Sequence, residues 1–277
     1  MTEKIEFGER REFTLHRPNR APRYFNQQFR TVRALGADLL VTLRPVSIRI
    51  NMLVGVSGAR VRTGYRTAIS RVLFSCTAPR DVAVYRPLNY LRVLDTLGVQ
   101  PLVANFFEEA ARRASVTLDR DGEYYCLMPG GLRAHKRWGI ANFLALAARI
   151  HADRPSARFV FVLGPGEGEV HQMIRESATG SASVILDTAS LANISHAVLT
   201  SRITIANDCG PSHVAQLLGR PYVGLFANNR GQADLLSHEW FFPRPGACWL
   251  SAPSGADITE IPVETVYGRA IATAESV

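Results

Sequence analysis

The regular alternation of short apolar runs and helical patterns from residue 124 onward most constrains how this chain can fold. The apolar runs predict five strands, at residues 124–128, 158–163, 183–186, 202–206 and 222–226. Helical patterns are found near residues 138–152, 167–178, 191–200, 211–218 and 263–274. Short strands that are apolar on both faces and separated by helices predict an α/β fold, with a parallel sheet covered on both sides.

The N-terminal part of the chain is less regular. Its predicted elements are a helix at residues 25–35, a buried strand at 38–43, a short strand and turn at 58–65, and a helix at 87–97. Two or three strands are too few for a complete doubly wound domain. A loop at residues 114–122 is the predicted boundary, which gives an incomplete N-terminal domain (residues 1–113) and a C-terminal domain (residues 114–277).

No segment has the features of a secretory signal or a membrane span. Residues 1–23 are polar and charged, without an apolar core, and the apolar stretch at residues 39–56 is interrupted by Arg44, Pro45 and Arg49. The four cysteines are far apart and lack metal-ligand spacing, so we interpret them as reduced thiols of a cytoplasmic protein. They are Cys76, Cys126, Cys209 and Cys248.

The positive charge of the chain belongs to its N-terminal part. Residues 1–113 carry 19 basic and 9 acidic side chains, whereas residues 114–277 carry 13 and 15. No nucleic-acid-binding motif is present, so we expect an anionic acceptor molecule or a membrane surface as the partner rather than nucleic acid. Arg60 and Arg62 are candidates for facing an anionic acceptor, the alternative being that they are simply solvated.

The segment at residues 203–221 predicts a strand, a tight turn and a helix start. Gly210 is expected to let the backbone turn without a Cβ clash, and Pro211 is expected at the first helical position. A helix start offers free N–H groups and a positive dipole end, which suit a phosphate. The polar side chains of this turn are Asp208, Ser212 and His213. The alternative is a capping carboxylate beside a solvated histidine, and a nucleophilic Cys209 is a further possibility.

A second polar cluster lies at residues 124–138, where a buried strand is followed by a glycine-containing loop. Gly130 and Gly131 allow close approach of the backbone to a ligand, and Trp138 is expected to anchor the following helix to its sheet. Four cationic or titratable side chains follow the loop and suit a diphosphate. They are Arg133, His135, Lys136 and Arg137. The alternative is a solvated basic face.

Both clusters follow the carboxyl ends of predicted parallel strands, as do the loops at residues 164–167 and 227–230. Ligands of such sheets bind beyond these strand ends, so four loops on one edge predict a nucleotide-sized crevice. The spacing matches neither the dinucleotide fingerprint nor the Walker loop, which disfavours a nicotinamide enzyme.

These segments together resemble glycosyltransferase family 9, the bacterial heptosyltransferases of lipopolysaccharide core assembly. The resemblance is carried by PGGLRAHKRWGIANFLALA at residues 129–147, FVFVLGPGEGE at 159–169 and NDCGPSHVAQLLGRPYVGLF at 207–226. The last segment resembles the Asp-x-Gly-x-x-His loop of the family. GADLLVTLRP and GARVRTGY resemble later segments of the family's N-terminal domain, so the resemblance spans roughly residues 30–275.

The resemblance implies a GT-B fold of two Rossmann-like domains, the C-terminal one binding an ADP-sugar or a similar nucleotide-sugar. It implies that Lys136 contacts the diphosphate. It also implies that four residues surround the phosphates and the sugar, namely Asp208, Gly210, Ser212 and His213. Gly130, Gly131 and Arg133 complete the expected donor-binding set. Neither a metal nor another cofactor is expected, because side chains and a helix start balance the leaving diphosphate in this family.

One departure from the family concerns the first strand and the Gly-Asp loop that follows it, whose carboxylate is thought to be the general base. This chain contains no Gly-Asp pair, and its start resembles a later part of such proteins, so we expect the first strand-helix-strand unit to be absent. Asp38 is the nearest acidic residue, and at a strand start it is interpreted as structural. No catalytic base is therefore assigned.

The preferred hypothesis is an inverting, metal-independent glycosyltransferase that moves a heptose-like sugar to a lipopolysaccharide or other saccharide acceptor. It would be cytoplasmic, with peripheral contact at the inner membrane. The alternative is a nucleotide-sugar-binding protein that is non-catalytic or is completed by a partner chain. An epimerase or hydrolase would need a carboxylate pair, for which Glu167 and Glu169 are the candidates, although their spacing points them apart.

Overall fold

The described part of this protein contains two separate parallel sheets. The computed structural model describes residues 22–44, 47–99, 103–119, 122–164, 168–228, 231 and 233–276. The chain divides into a first unit, residues 1–80 with 90–99, and a second unit, residues 81–89 with 100–277. The predicted α/β class with parallel sheets is confirmed.

The first unit is built around a three-stranded parallel sheet in the order β1-β2-β3. The elements of this part of the chain are α1 (Pro22–Ala34), β1 (Leu39–Thr42), α2 (Ile48–Gly55), β2 (Val61–Tyr65), α3 (Ser70–Leu73), β3 (Cys76–Ala78) and α4 (Arg86–Asp95), of which residues 86–89 belong to the second unit. Tyr65, Ala78 and Val93 form its small apolar core, and the hydroxyls of Thr63 and Thr96 are hydrogen-bonded at 2.8 Å.

The strand predicted at residues 38–43 was expected to be buried, and this part of the prediction is wrong. The strand exists, but Leu39 and Val41, which lie on one face, are 37% and 38% exposed. β1 is an edge strand of the described sheet, so in this part of the chain only β2 pairs with it. Apolar composition predicted the strand correctly but not the covering of its second face.

The second unit contains a six-stranded parallel sheet in the order β6-β5-β4-β7-β8-β9. Its further elements are α5 (Val103–Ala111), β4 (Glu123–Met128), α6 (Ile140–Asp153), β5 (Ala157–Leu163), α7 (Gly168–Glu176), β6 (Ser183–Asp187), α8 (Leu191–Thr200), β7 (Ser201–Asn207), α9 (Ser212–Leu217), β8 (Tyr222–Phe226), α10 (Ala233–Trp240), β9 (Ala247–Ser251) and α11 (Val263–Glu275). All five strands predicted here are present. α5 precedes the expected boundary at residue 113 and packs on α8.

Both faces of the six-stranded sheet are covered by apolar layers. Along β4, Tyr125 and Leu127 face one layer, while Tyr124, Cys126 and Met128 face the other. Burial raises the pKa of the Cys126 thiol to about 12, so this thiol stays protonated at neutral pH. The alternation explains why the strand is apolar at consecutive positions.

The strand order reverses between β4 and β7. From β4 the chain moves outward through β5 to β6, and it then returns to β7 on the other side of β4. The loops that follow β4 and β7 therefore leave the sheet next to each other and diverge, which opens a crevice at the carboxyl ends of these two strands. Both polar clusters identified in the sequence lie at this crevice.

None of the helices in the described ranges combines the length and the apolar character that a membrane span requires.

Candidate functional site

The crevice between the loops after β4 and β7, called the rim below, consists of residues 129–139 and 208–213. Asn207, the last residue of β7, is fully buried and joins the two loops. Its Nδ2 donates to the carbonyl oxygen of Pro129 at 2.7 Å and to that of Gly130 at 3.3 Å. Its Oδ1 accepts from the backbone N–H of Trp138 at 3.1 Å. This single amide therefore fixes both ends of the loop that carries Lys136.

Lys136 and Asp208 form an ion pair across the rim. Lys136 closes a short 3₁₀ helix (Ala134–Lys136), and Asp208 is fixed by its own backbone N–H, which donates to the carbonyl of Leu225 at 3.2 Å. The side chain of Asp208 is 9% exposed and that of Lys136 is 23% exposed. The pair thus keeps a solvent-accessible ammonium at a defined position.

His213 lies next to this ion pair, in the first turn of α9. Its Nδ1 is 2.7 Å from the hydroxyl of Tyr85 and 3.2 Å from Nε2 of Gln216. Burial lowers the pKa of His213; the carboxylate of Asp208 opposes this shift and the ammonium of Lys136 adds to it. The ring is therefore neutral at pH 7. Lys136, Asp208 and His213, which were predicted from two distant segments, lie close enough to interact electrostatically.

Tyr85 is a buried part of the site that the sequence analysis missed. Its ring stacks on Phe242, with ring centroids 5.4 Å apart and planes 9° apart. Burial raises the pKa of its hydroxyl well above the ordinary value; Arg244 opposes this shift and Asp208 adds to it. Its neighbour Arg86 places its guanidinium 4.3 Å from the ring centroid of Trp240. The hydroxyl is thus a fixed, protonated group.

The structure corrects the predicted helix start. α9 has only six residues, with Pro211 as its N-cap in the helical conformation rather than its first residue. The backbone N–H groups of His213 and Val214 donate to the carbonyls of Gly210 and Pro211, at 3.2 Å and 3.0 Å. A short helix in which two of the first three amides, those of His213 and Val214, are already paired offers an anion less than the sequence predicted.

The reason given for Gly210 is also wrong. A Cβ at this position would meet nothing within 4 Å, and the residue is not among the glycines with positive φ. No clash therefore excludes a side chain; the glycine instead leaves the backbone open to the crevice. Ser212 is buried, and its hydroxyl donates to the carbonyl of Cys209 at 2.7 Å, so its predicted contact with the ligand remains a prediction.

The basic cluster separates into different environments. Arg133, His135 and Arg137 are all exposed, and Arg137 also donates through Nε to the carbonyl of Gly131 at 2.6 Å. A Cβ at Gly131 would lie 3.4 Å from Cγ of Arg137. Lys136 is less exposed than these three residues and forms the ion pair with Asp208. Trp138 is fully buried on the sheet, as predicted.

Other predicted residues fall elsewhere. Glu167 and residues 229–230 lie outside the described residues. In the first unit, Arg62 donates to the carbonyls of Ala59 and Leu73, at 2.7 Å and 2.8 Å, while Arg60 is exposed. Within the described ranges, no group of three or more histidine, cysteine, aspartate or glutamate side chains is arranged to hold a metal ion.

Solved structures similar to this chain share its fold. An Escherichia coli heptosyltransferase, WaaC with ADP, has a TM-score of 0.65 and 16% identity, over 92% of this chain and 79% of that chain. A glycosyltransferase family 9 structure from Veillonella parvula has a TM-score of 0.63 and 19% identity, over 92% and 79%. The E. coli ADP-heptose LPS heptosyltransferase II has a TM-score of 0.60 and 15% identity, over 91% and 80%. These glycosyltransferases have the GT-B fold.

A search of curated proteins found no match. The model of the family described as glycosyltransferase family 9 (heptosyltransferase), in contrast, matches residues 27–233. Since this match covers more than half of the sequence, the chain belongs to glycosyltransferase family 9.

Proposed function

We propose that this protein binds a nucleotide-diphosphate sugar, of the ADP-heptose type, at the rim and transfers the sugar to a lipopolysaccharide or other saccharide acceptor. Family membership supports a transferase, and the similar E. coli heptosyltransferase was solved with ADP. We further propose that the reaction is inverting and needs no metal. In this proposal residues 114–277 bind the donor and residues 1–113 form the acceptor side.

The observation that carries the proposal is the Lys136–Asp208 ion pair at the ends of the two central strands. An ammonium has three donors, so Lys136 can keep its bond to Asp208 and still donate to a phosphate oxygen. Asp208 would repel a phosphate placed beside it but accepts hydrogen bonds from hydroxyls. We therefore expect the diphosphate on the Lys136 side of the rim and the sugar hydroxyls on the Asp208 side.

In the transfer step, negative charge develops on the leaving diphosphate as its bond to the sugar breaks. A positioned ammonium stabilises this charge more in the transition state than in the ground state, and this difference is what accelerates the reaction. The acceptor oxygen attacks from the opposite side of the sugar in a single displacement, which inverts the anomeric centre, and the hydroxyl proton leaves to solvent water. The net positive charge of residues 1–113 supports an anionic glycolipid acceptor and peripheral contact with the cytoplasmic face of the inner membrane.

The Lys136→Ala substitution tests donor binding. Hydrogen bonds to charged groups contribute about 1.5–3 kcal/mol, so we expect the Kd for ADP or an ADP-sugar to rise about tenfold or more, measured by calorimetry. Arg112→Ala is the matched control, because it removes an exposed cation that pairs only with Glu109 among the described side chains. An unchanged Kd for Lys136→Ala would contradict the assignment of the rim.

Activity is tested separately, by incubating the full chain with ADP-heptose and a lipopolysaccharide acceptor that lacks the terminal sugar. We expect transfer with inversion of the anomeric configuration, at equal rates with and without a metal chelator. Donor binding without transfer to any such acceptor would instead favour the alternative of a non-catalytic or partner-completed nucleotide-sugar-binding protein.

A further inference from the structure

We propose that Gln216 and Tyr85 hold His213 as the neutral tautomer with its proton on Nε2. His213 then presents a hydrogen-bond donor to the rim and acts as neither a base nor a cation. Gln216 and Tyr85 are positioning residues in this proposal. The role of this N–H group toward a bound nucleotide-sugar rests on the proposed function, whereas the tautomer itself does not.

The orientation of the Gln216 amide is fixed by two backbone groups. Its Oε1 accepts from the backbone N–H of Phe242 at 2.8 Å, and its Nε2 donates to the carbonyl of Trp240 at 3.2 Å. The side chain is buried, so water cannot substitute for these partners. The amide group that faces Nδ1 of His213, at 3.2 Å, is therefore the NH₂ group, which has only protons to offer.

The hydroxyl of Tyr85 approaches the same nitrogen at 2.7 Å. Burial raises the pKa of this hydroxyl, so it stays protonated and can donate a hydrogen bond to Nδ1. The hydroxyl oxygen could also accept a proton from Nδ1, but the NH₂ group of Gln216 could not, so a proton on Nδ1 would be brought against the NH₂ protons. Nδ1 must consequently be an acceptor, and in a neutral imidazole the single proton then resides on Nε2.

The surroundings of the ring favour the neutral form. Burial lowers the pKa of His213, and Lys136 repels an imidazolium, while Asp208 partly opposes both effects. Trp240 packs against the ring, with centroids 5.6 Å apart, and the ion pair of Arg86 with Glu239 lies beside Trp240. Nε2 has no hydrogen-bond partner among the residues that the structure describes, so its proton is available to a ligand oxygen.

Nuclear magnetic resonance of the full chain labelled with ¹⁵N-histidine tests the tautomer without any nucleotide. Long-range ¹H–¹⁵N spectra distinguish protonated from unprotonated ring nitrogens, and the signal lost in His213→Gln assigns this residue among the seven histidines. We expect protonated Nε2 and unprotonated Nδ1 at pH 7.5, and a titration midpoint below that of histidine in the urea-unfolded chain. A proton on Nδ1, or a doubly protonated ring at pH 7.5, would overturn the proposal.

Two substitutions test the positioning residues in the same spectra. Tyr85→Phe keeps the stacked ring but removes the hydroxyl that favours neutral His213, so the midpoint should rise while Gln216 keeps the tautomer unchanged. Gln216→Glu replaces the NH₂ group with an acceptor, so a proton should appear on Nδ1. If Gln216→Glu fails to fold, as judged by far-ultraviolet circular dichroism, the titration midpoint of His213 in Tyr85→Phe is the deciding measurement. An unchanged midpoint in Tyr85→Phe would refute the role of its hydroxyl.

A pair of substitutions at His213 tests whether Nε2 acts as a hydrogen-bond donor to the ligand. The amide nitrogen of glutamine is separated from Cβ by as many bonds as Nε2 of histidine, so His213→Gln retains a neutral N–H donor, whereas His213→Ala does not. We expect the Kd for ADP to rise about tenfold or more in His213→Ala and clearly less in His213→Gln. Equal losses would refute the donor role. If Lys136→Ala leaves binding unchanged while the spectra show the expected tautomer, the proposed function fails and the tautomer assignment stands.

Discussion

Replacing Trp138 by alanine should lower the free energy of unfolding by about 3–5 kcal/mol, the range for removing a large buried aromatic side chain. Trp138 is fully buried in the apolar layer under α6, where its ring meets that of Phe143 edge-on at 5.1 Å. Its Nε1 also donates to the carbonyl of Ile261 at 2.9 Å. Urea denaturation followed by circular dichroism measures the change.

Trp138→Phe is the matched control for this prediction. Phenylalanine keeps an aromatic ring in the layer but leaves the carbonyl of Ile261 without its donor, which costs about 1–3 kcal/mol. We therefore expect a loss smaller than that of Trp138→Ala. A loss below about 1 kcal/mol for Trp138→Ala would show that the side chain does not anchor the helix.

Replacing Asn207 by aspartate should lower the free energy of unfolding by about 3 kcal/mol or more, although the two side chains have almost the same shape. The substitution removes the NH₂ group that donates to the carbonyls of Pro129 and Gly130, and it places a carboxyl oxygen against them. Donor affinity should fall as well, because the loop that carries Lys136 loses its attachment to β7. Urea denaturation and calorimetry with ADP measure the two effects.

The pH dependence of Asn207→Asp has a definite sign. Burial beside carbonyl oxygens raises the pKa of the introduced carboxyl above its unfolded value, so the folded protein binds a proton more tightly than the unfolded chain. The destabilisation relative to the parent chain should thus shrink as the pH falls from 8 to 5. A constant difference would contradict this explanation.

Asn193→Asp serves as the control for both effects. Asn193 is half-buried, and its Oδ1 accepts from the backbone N–H of Ser115 at 2.9 Å, a bond that a carboxylate can also accept. We expect a change within about 0.5–1 kcal/mol and unchanged ADP binding.

The sequence predicted the second unit well because its inner strands are apolar on both faces. β4 begins one residue before the predicted strand, and β8 coincides with it. β9 was missed, since all five of its residues are only half-buried at the edge of the sheet and their apolar pattern is weak. The burial of β1 was wrong for a related reason: a run of apolar residues does not reveal whether another element covers its outer face.

Part of the site was predictable for a topological reason. Lys136 and Asp208 follow strands whose carboxyl ends meet at one edge, so the parallel-sheet prediction already brought them together. Tyr85 was missed because it meets His213 across 128 positions of sequence, and no local pattern marks it. Asn207 stood in the quoted motif, but its role depends on carbonyls of another loop, which only the folded backbone brings within reach.

The position of β4 and β7 in the middle of the six-stranded sheet also has a consequence for the proposed binding of a nucleotide-sugar donor. Each has a hydrogen-bonded neighbour on both sides, so releasing either strand breaks two ladders at once. Such segments separate only when the whole unit unfolds, and their amide protons exchange last. Asn207, at the end of β7, is therefore ordered without a ligand, and we expect the loop that it holds to lose little conformational entropy if the proposed nucleotide-sugar binds.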